Sequence, residues 1–298
     1  MPEPFHYGGQ AVIEGVMIRG KETVAISVRQ PNGQLSVVKQ PLASIYKGRL
    51  RQIPLIRGVI VLIETLALGT QSLLHSAQVA VAEEGEQRIP TAVLWGTVAV
   101  SLALGVALFF MLPLFATRYL IDPYIESALL SNLFEGLIRI SIFVAYLKLI
   151  SLIPDIKKVF AYHGAEHKVV NAYEAGVPLD VESVKKYSTA HARCGTAFLF
   201  IVLIVAILVF ALVGQPTLWL RILSRIALIP VIAVISYEIM KFGAGHIDNR
   251  VVRVLLAPGL LLQRITTRQP DDSQIEAAIS ALNEVIKIDQ TAESVGST

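Results

Sequence analysis

Long apolar runs dominate the pattern of hydrophobic and polar positions along this chain. Val93–Phe115 and Ala197–Val213 each form a continuous run without a charged residue. A helix of roughly 20 apolar residues is long enough to cross the hydrocarbon core of a bilayer. The pattern therefore predicts two membrane-spanning helices at these positions.

Two further apolar runs carry charged residues near their ends. Gly136–Ile153 contains Arg139 and Lys148, and a long basic side chain near the end of a span can extend to the membrane interface. Ile222–Met240 contains Pro230, which membrane helices tolerate when neighbouring groups satisfy the freed backbone. These runs predict a third and a fourth span.

A fifth apolar stretch, Pro54–Ala82, is more polar than the four predicted spans. It contains Arg57, Glu64, Gln71 and His75. Proline suits the first turn of a helix, and an apolar face interrupted by polar residues is typical of a helix at an interface. We therefore predict an interfacial or bundle-packed helix here rather than a span.

The first 50 residues predict a small β-sheet. Ala11–Arg19 and Thr23–Arg29 are rich in Val and Ile, Pro31–Gly33 is a turn signal, and Gln34–Gln40 alternates after it. The tail from Asp272 has an amphipathic helical pattern and is predicted to pack on its own protein. The predicted fold class is an α-helical multi-pass membrane protein with about four transmembrane helices and a small N-terminal β-sheet.

The distribution of Lys and Arg sets the predicted orientation. With four spans, both termini and the 154–196 loop lie on the side that holds most of these residues, which is the cytoplasmic side of the plasma membrane. A fifth span at Pro54–Ala82 would move this loop outside and remove the bias. The N-terminal sheet is therefore placed on the cytoplasmic face.

The predicted regions are residues 1–52 (β-rich, cytoplasmic), 53–91 (interfacial or bundle-packed helix), 92–240 (transmembrane bundle with the helical loop 154–196) and 241–298 (cytoplasmic, with an amphipathic helix).

The amino-acid composition argues against several classes of protein function. Of the 298 residues, 54% are hydrophobic and 16% are charged, against about 25% charged in soluble domains, so an ordinary soluble enzyme and a disordered chain are both disfavoured. A single cysteine, Cys194, excludes a disulfide scaffold. The net charge of +3, without a basic block, gives no sign of nucleic-acid binding. The lipid bilayer is the predicted partner, no nucleic acid is expected, and a protein partner or a homo-oligomer stays open.

The central loop carries the strongest candidate chemistry, the string His163-Gly164-Ala165-Glu166-His167. Two histidines four residues apart lie on one face of a helix, which is the spacing for two imidazoles to bind one zinc ion. Glu166 could polarise a metal-bound water, and the string matches the H-x-x-E-H pattern of inverzincins. We predict a zinc site with His163 and His167 as ligands and Glu166 as the catalytic residue. Hydrogen-bonded polar groups without a metal are the alternative.

His191 and Cys194, three residues apart just before an apolar run, add two further candidate metal ligands. Four ligands would make a closed structural zinc site. In contrast, His163, His167 and one other ligand would leave a position for water, as in catalytic sites. The sequence leaves both arrangements open.

Two carboxylates are candidates for a supporting role. Glu174 lies on the same helical stripe as the histidines but about 10 Å beyond His167, so it is predicted to hydrogen-bond a ligand rather than to bind the metal. Glu238 lies at the cytoplasmic end of the fourth predicted span, where an unpaired charge is costly. Its ordinary partner would be Lys241, whereas a turn towards the histidines would make it a ligand or a group that orients one.

Six motifs distributed over the chain resemble the motifs of a known protein family. They are Gly8–Met17 (GGQAVIEGVM), Arg57-Gly58 with Glu64, Tyr162–Lys168 (YHGAEHK), Asn171–Glu174 (NAYE), His191–Thr196 (HARCGT) and Pro258–Leu260 (PGL). Through them the chain resembles, over almost its whole length, the YqhQ family of multi-pass bacterial membrane proteins with a domain of unknown function. The family pattern usually has Pro where Ala192 stands, a difference that changes backbone stiffness and no ligand. The resemblance implies a metal-dependent enzyme, an assignment that rests on the same His, Glu and Cys residues.

Two functions of different classes follow. The first is a metal-dependent enzyme at the cytoplasmic membrane face, a hydrolase of a peptide, a lipid headgroup or another ester, with Glu166 as general base. The second is a non-catalytic membrane scaffold or assembly factor with a structural metal or none. A transporter is disfavoured because, apart from Glu238, the predicted spans show no buried ionisable groups.

Overall fold

The computed structural model describes residues 5–81, 89–214 and 216–296. Over these residues the chain is mainly helical with one small antiparallel sheet, as predicted. The predicted regions 1–52 and 53–91 include residues 1–4 and 82–88, which lie outside the described residues. The strands are β1 (Gly8–Val12), β2 (Gly15–Arg19), β3 (Thr23–Arg29) and β4 (Leu35–Pro41). The helices are α1 (Ile56–Ala80), α2 (Thr91–Val106), α3 (Leu112–Leu120), α4 (Ala128–Ile150), α5 (Pro154–Glu174), α6 (Val181–Val184), α7 (Gly195–Val213), α8 (Leu218–Ala227), α9 (Ile229–Gly245), α10 (Arg250–Thr266) and α11 (Asp272–Gly296), with a π-helical turn at Ala107–Met111 and 3-10 turns at Ser44–Tyr46, Arg49–Gln52 and Asp122–Tyr124.

The N-terminal sheet is a four-stranded antiparallel meander in the order β1-β2-β3-β4. The predicted strand region Ala11–Arg19 is divided between two strands by a tight turn at Ile13 and Glu14, where Glu14 adopts a φ of 51°. The pairing of Val12 with Gly15 closes this hairpin. This two-residue turn reverses the chain direction in the middle of the run, so one apolar run makes two paired strands.

The sheet lies between two layers of helix. Successive side chains of a strand face opposite sides. Val16 and Ile18 accordingly pack against α5 and α11, whereas Met17 and Ile26 face α1. The amphipathic tail is α11, and its apolar stripe fills the first of these interfaces, as predicted.

The helix α1 contacts the sheet along much of its length. Nε2 of Gln10 donates to the backbone oxygen of Gly69 at 3.1 Å, and the backbone N–H of Ile13 donates to Oγ of Ser76 at 3.1 Å. Ile63 is among the large apolar side chains that α1 leaves exposed. One side of α1 therefore packs against the sheet, while another side is apolar and exposed.

Several helices are long and apolar enough to cross a membrane. In the described part of the chain, three helical runs qualify by length and composition: Ile56–Ala80, Thr91–Tyr124 and Gly195–Val213. Two bent pairs, α4 with α5 at 101° and α8 with α9 at 44°, raise the number to five if each pair is one span. The predicted run Ile222–Met240 is divided between α8 and α9, because Pro230 lies in the first turn of α9 and cannot continue the preceding helix.

Charged side chains are buried inside the helical bundle, contrary to the sequence-based expectation. Arg139 does not extend to the interface: it is 3% exposed and donates to Oε1 of Glu135 at 2.6 Å. Arg221 and Arg225 are also buried. The prediction that the spans lack buried ionisable groups apart from Glu238 is therefore wrong. These charges are tolerated there because they pair with one another between α4 and α8.

Candidate metal centre

Three nitrogen and sulfur donors converge beside α5. Nε2 of His163 lies 3.2 Å from Sγ of Cys194, and one ligand atom from each of His163, His167 and Cys194 lies within 4.8 Å of the others. His167 and Cys194 are buried, and His163 is partly buried. Imidazole and thiolate are preferred zinc ligands, so this trio could hold one metal ion.

The helix α5 places the two histidines one turn apart. Pro154 occupies its first turn, where the missing N–H leaves no helical bond unmade, and the ring centroids of His163 and His167 lie 4.4 Å apart. Gly164 allows this part of α5 to approach the segment after α10, because a Cβ there would lie 2.0 Å from the backbone oxygen of Arg268. The local sequence thus combines two donors with a close backbone contact.

A backbone carbonyl holds the second nitrogen of each histidine. Nδ1 of His163 lies 2.8 Å from the oxygen of Thr266, and Nδ1 of His167 lies 2.6 Å from the oxygen of Thr189. Because a carbonyl oxygen only accepts hydrogen bonds, both Nδ1 atoms carry the hydrogen. In the neutral rings the Nε2 atoms then keep their lone pairs, which is the arrangement typical of metal-binding histidines.

Cys194 lies at the N-terminus of α7. Its Sγ accepts a hydrogen bond from the backbone N–H of Thr196 at 3.4 Å. Cys194 is thus the N-cap residue of α7, whose side chain accepts from a backbone N–H of the first turn. The sulfur therefore contacts His163 from the first turn of a helix that continues into the apolar bundle.

Glu166 lies beside the donor group and is held by the N-terminal sheet. Its Oε1 accepts a hydrogen bond from the backbone N–H of Gly9 at 3.0 Å, and its Oε2 lies 3.5 Å from Nε2 of His167. Gly9 has no room for a side chain, since a Cβ would lie 2.0 Å from the backbone oxygen of Met17. The carboxylate thus has one oxygen anchored on β1 and the other directed at the histidines.

The predicted ligand His191 lies next to the three donors but outside their group. Its ring centroid is 5.6 Å from that of His167, and its Nε2 is 3.6 Å from Oε2 of Glu174. Gln263 holds its backbone, accepting from the N–H at 3.0 Å and donating to the carbonyl oxygen at 2.8 Å. The structure therefore pairs the His191 ring with a carboxylate.

Glu174 is the centre of a polar group beside His191. Its carboxylate accepts from the guanidinium of Arg193, and its Oε1 lies 3.2 Å from Nδ1 of His6. Burial acts to raise its pKa, but the hydrogen bond with His191 and the charge of Arg193 outweigh this effect, and the pKa of Glu174 falls to about 2. Glu174 is therefore ionised at neutral pH. It contacts the ring of His191, which in turn lies beside the ring of His167.

Glu238 is paired with α1. Its Oε1 accepts from Nε of Arg57 at 2.7 Å and from the backbone N–H of Leu55 at 3.3 Å. The hydrogen-bond partner is therefore Arg57 rather than Lys241 or the histidines. This ion pair joins α9 to the start of α1.

Sequence reasoning did not find the backbone groups that complete the site. The N–H of Gly9 and the carbonyls of Thr189 and Thr266 leave no side-chain signature. The paired glycines at the start of the chain were a signal for a close backbone approach. The partner of that approach lies 157 positions away, so the signal does not name Glu166.

Comparison with known proteins covers nearly the whole chain. Residues 53–288 match a family model described as "Protein of unknown function (DUF1385)". The chain is 35% identical over 303 aligned residues to the uncharacterized protein YqhQ of Bacillus subtilis strain 168, and the alignment covers 97% of this chain and 95% of that protein. No solved structure matches the chain. The resemblance to the YqhQ family is confirmed, and these matches bring no activity or substrate with them.

Proposed function

The chain belongs to the DUF1385 family, and we propose from its geometry that it is a metal-dependent hydrolase at the cytoplasmic face of the plasma membrane. Zinc is the proposed metal, with His163, His167 and Cys194 as ligands and Glu166 as general base. One observation carries the proposal. Three donors converge, and both histidines have Nδ1 held by a carbonyl so that Nε2 is left for a ligand.

The three donors fit a zinc ion and would leave its fourth coordination position for a water molecule. When bound by three protein ligands, zinc polarises a carbonyl group and acidifies a water in the remaining position. Glu166 is suited to take a proton there, because Gly9 fixes Oε1 while Oε2 lies 3.5 Å from Nε2 of His167. A general base must lie within hydrogen-bond reach of the proton it removes, and Oε2 is the oxygen of Glu166 that would act on a water bound beside His167.

The proposed membrane position has four spans, α2 with α3, α4, α7, and α8 with α9, and it leaves α1 in the interface. Contacts between α1 and the sheet support this position, since a helix with one side on a soluble sheet cannot be surrounded by lipid. The excess of Lys and Arg on the N-terminal side supports cytoplasmic termini. Cys194 at the start of α7 then brings the metal centre to headgroup depth.

A structural metal in a membrane scaffold is the second candidate. The donors and Glu166 are held by groups from three other segments, β1, the loop before α7 and the end of α10, while α5 supplies both histidines. A metal at this point would join four segments that are distant in the chain. If His191 turned in as a fourth ligand, the site would be closed and would have no position for water.

Metal content tests the site itself. We expect about one zinc per chain, measured by mass spectrometry on protein purified in detergent without chelator. The His163→Ala/His167→Ala double variant should contain none, whereas His246→Ala should keep it. His246 is a matched control because its Nδ1 also lies 2.9 Å from a backbone oxygen, that of Phe242, although its ring is outside the donor group. A folded wild-type protein that stays empty after zinc is added back would overturn the proposal.

The variant Glu166→Gln separates the enzyme from the scaffold. Gln keeps an oxygen for the Gly9 N–H but cannot take a proton, so zinc content and the unfolding temperature should stay unchanged. Hydrolysis of ester and peptide substrates presented on vesicles should fall by about 10²–10⁴-fold. Wild-type rates in this variant would exclude Glu166 as the base. A wild-type protein that is inactive on every substrate but is destabilised by chelator would favour the scaffold.

A further inference from the structure

A second group of charged side chains lies inside the helical bundle and is independent of the metal centre. Glu135 accepts hydrogen bonds from three guanidinium groups, those of Arg139 at 2.6 Å, Arg221 at 2.9 Å, and Arg225 at 2.9 and 3.0 Å. Arg221 also donates to Oδ2 of Asp122 at 2.8 Å. We call these five residues, Asp122, Glu135, Arg139, Arg221 and Arg225, the arginine cluster.

The arginine cluster holds more positive than negative charge. Its three arginines face two carboxylates, and all five side chains are less than one-tenth exposed. Because a guanidinium stays protonated in proteins, three arginines that share two carboxylates leave the cluster with one positive charge in excess. The guanidinium of Arg225 lies 4.1 Å from the ring centroid of Phe210, which offsets part of this excess. Uncompensated charge inside a protein is costly, so the excess indicates an anion as a further partner.

One buried N–H of the cluster supports the same conclusion. Nε of Arg139 donates to the backbone oxygen of Phe109, in the π-helical turn, at 2.9 Å, and Nε of Arg225 donates to Glu135. Nε of Arg221 is buried and has no hydrogen-bond partner among the residues that the structure describes. Buried donors are normally paired. This N–H is therefore available to an oxygen from outside the described part of the chain.

Arg118 forms the rim of the arginine cluster. Its NH1 lies 3.9 Å from Oδ2 of Asp122, the same oxygen that accepts from Arg221. Its side chain is 53% exposed, whereas that of Arg221 is buried. An anion that approaches the rim meets Arg118 first and the buried Arg221 behind it.

Exposed aromatic residues place this rim at the depth of lipid headgroups. Tyr119, Tyr124 and Trp219 flank the rim in sequence and are largely exposed, and Tyr and Trp concentrate at membrane interfaces. Phe210, which contacts the arginine cluster, lies about 24 Å along α7 from Cys194. The rim therefore faces the leaflet opposite to the metal centre.

We propose that Arg118 and Arg221 bind the phosphate of an anionic phospholipid in this leaflet. The phosphate compensates the surplus charge of the arginine cluster and accepts from the buried N–H of Arg221. A lipid is favoured over free phosphate because Leu120, beside the rim, is exposed at the same depth and would contact an acyl chain. This site does not depend on the proposed hydrolase.

Quenching of tryptophan fluorescence by brominated lipids tests the proposal at the site. The chain has two tryptophans, and Trp95→Phe leaves Trp219 as the reporter beside the rim. In nanodiscs, brominated phosphatidylglycerol and brominated phosphatidylcholine are compared at equal mole fraction. We expect about a 5-fold preference of the Trp219 site for the anionic lipid, the factor expected for one basic residue at a membrane surface. Equal quenching by the two lipids would overturn the proposal.

Arginine variants distinguish this site from general attraction of anionic lipid. In the same background, Arg118→Gln should abolish most of the preference, whereas Arg250→Gln should leave it unchanged. Arg250 is an exposed arginine at the start of α10, on the proposed cytoplasmic side, and controls for the loss of one positive charge from the protein. Arg118 is exposed, so its replacement does not put the fold at risk as a replacement of Arg221 would. A preference that survives Arg118→Gln, or that both variants lower equally, would contradict the proposal.

Inorganic phosphate distinguishes the lipid from a free anion. We expect added phosphate, compared with chloride at equal ionic strength, to leave the preference of the Trp219 site for phosphatidylglycerol unchanged. A preference that phosphate removes and chloride does not would assign the site to free phosphate and overturn the lipid as its ligand.

Discussion

Nδ1 of His163 lies 2.8 Å from the backbone oxygen of Thr266, although the two residues are 103 positions apart in the chain. Thr266 is the last residue of α10 and His163 lies within α5, so this bond exists only when both helices are in place. Nδ1 of His167 likewise lies 2.6 Å from the backbone oxygen of Thr189, which is 22 positions further along the chain. The tautomer that frees both Nε2 atoms is therefore a property of the tertiary fold, and metal binding should be coupled to folding.

The coupling of metal binding to the fold can be tested at Cys194. Ser in its place keeps an acceptor for the Thr196 N–H but removes the sulfur ligand. We expect Cys194→Ser to keep the unfolding temperature of the metal-free protein close to that of the wild type. Its zinc affinity should fall by about 10–100-fold or more, because even changes behind a ligand cost that much. Competition with a chromophoric chelator measures the affinity, and an unchanged affinity would remove Cys194 from the ligands.

The close contact at Gly164 makes a second prediction. A Cβ at this position would lie 2.0 Å from the backbone oxygen of Arg268, so α5 and the segment after α10 must separate. We expect Gly164→Ala to lower the free energy of unfolding by about 1–3 kcal/mol, the usual cost of overpacking. Zinc content should fall with it.

Gly195→Ala is the control for Gly164→Ala. Gly195 also lies in a helix near the donors, but a Cβ there would have no atom within 4 Å. Denaturant unfolding in detergent should show wild-type stability for this control. If both alanine variants are equally stable, the close approach at Gly164 does not matter for the fold.

The sequence predicts the parts of this molecule that depend on neighbours in the chain. His163 and His167 share a helix face because of their spacing alone, and the apolar stripe of α11 gives its buried side. The position of Cys194 beside His163 requires two segments to meet, so the sequence supplies the residue types but not the contact. For the same reason the sequence leaves open whether His191 is a ligand, and its contact with Glu174 is seen only in the structure.

The buried charges show where hydropathy is misleading. Glu135 and Arg139 are four residues apart on α4, and Arg221 and Arg225 are four apart on α8. This repeated spacing was available in the sequence. Hydropathy treats each charge as unfavourable by itself and assigns it to an interface, whereas the structure pairs the charges inside the bundle.

The low pKa of Glu174 predicts a loss of stability in acid. Its folded pKa of about 2 lies below the ordinary value of 4.5, so the unfolded chain takes up a proton first as the pH falls. The stabilisation is present above about pH 4.5 and is lost as the pH falls towards 2. We expect the unfolding temperature of Glu174→Gln to fall less steeply than that of the wild type over this range.

The control for the acid experiment is Glu182→Gln. The side chain of Glu182 is 81% exposed and is paired with Lys185 at the surface, so this variant should follow the wild-type pH dependence. Thermal unfolding in detergent at several pH values measures all three proteins. Parallel curves for the wild type and Glu174→Gln would show that Glu174 does not contribute.

Removing the carboxylate of Glu135 should be among the most destabilising single changes in the bundle. Glu135 accepts from three buried arginines, and breaking a buried ion pair typically costs about 3–5 kcal/mol because the remaining charge is left without compensation. We expect Glu135→Gln to lower the free energy of unfolding by that amount. The double variant Glu135→Gln/Arg139→Gln should recover part of the loss, because it removes one uncompensated charge.

Glu126→Gln, at an exposed position before α4, is the control and should leave the free energy of unfolding unchanged. Unfolding by denaturing detergent measures the series, and equal stability of Glu135→Gln and Glu126→Gln would contradict a role for the carboxylate in holding the arginines.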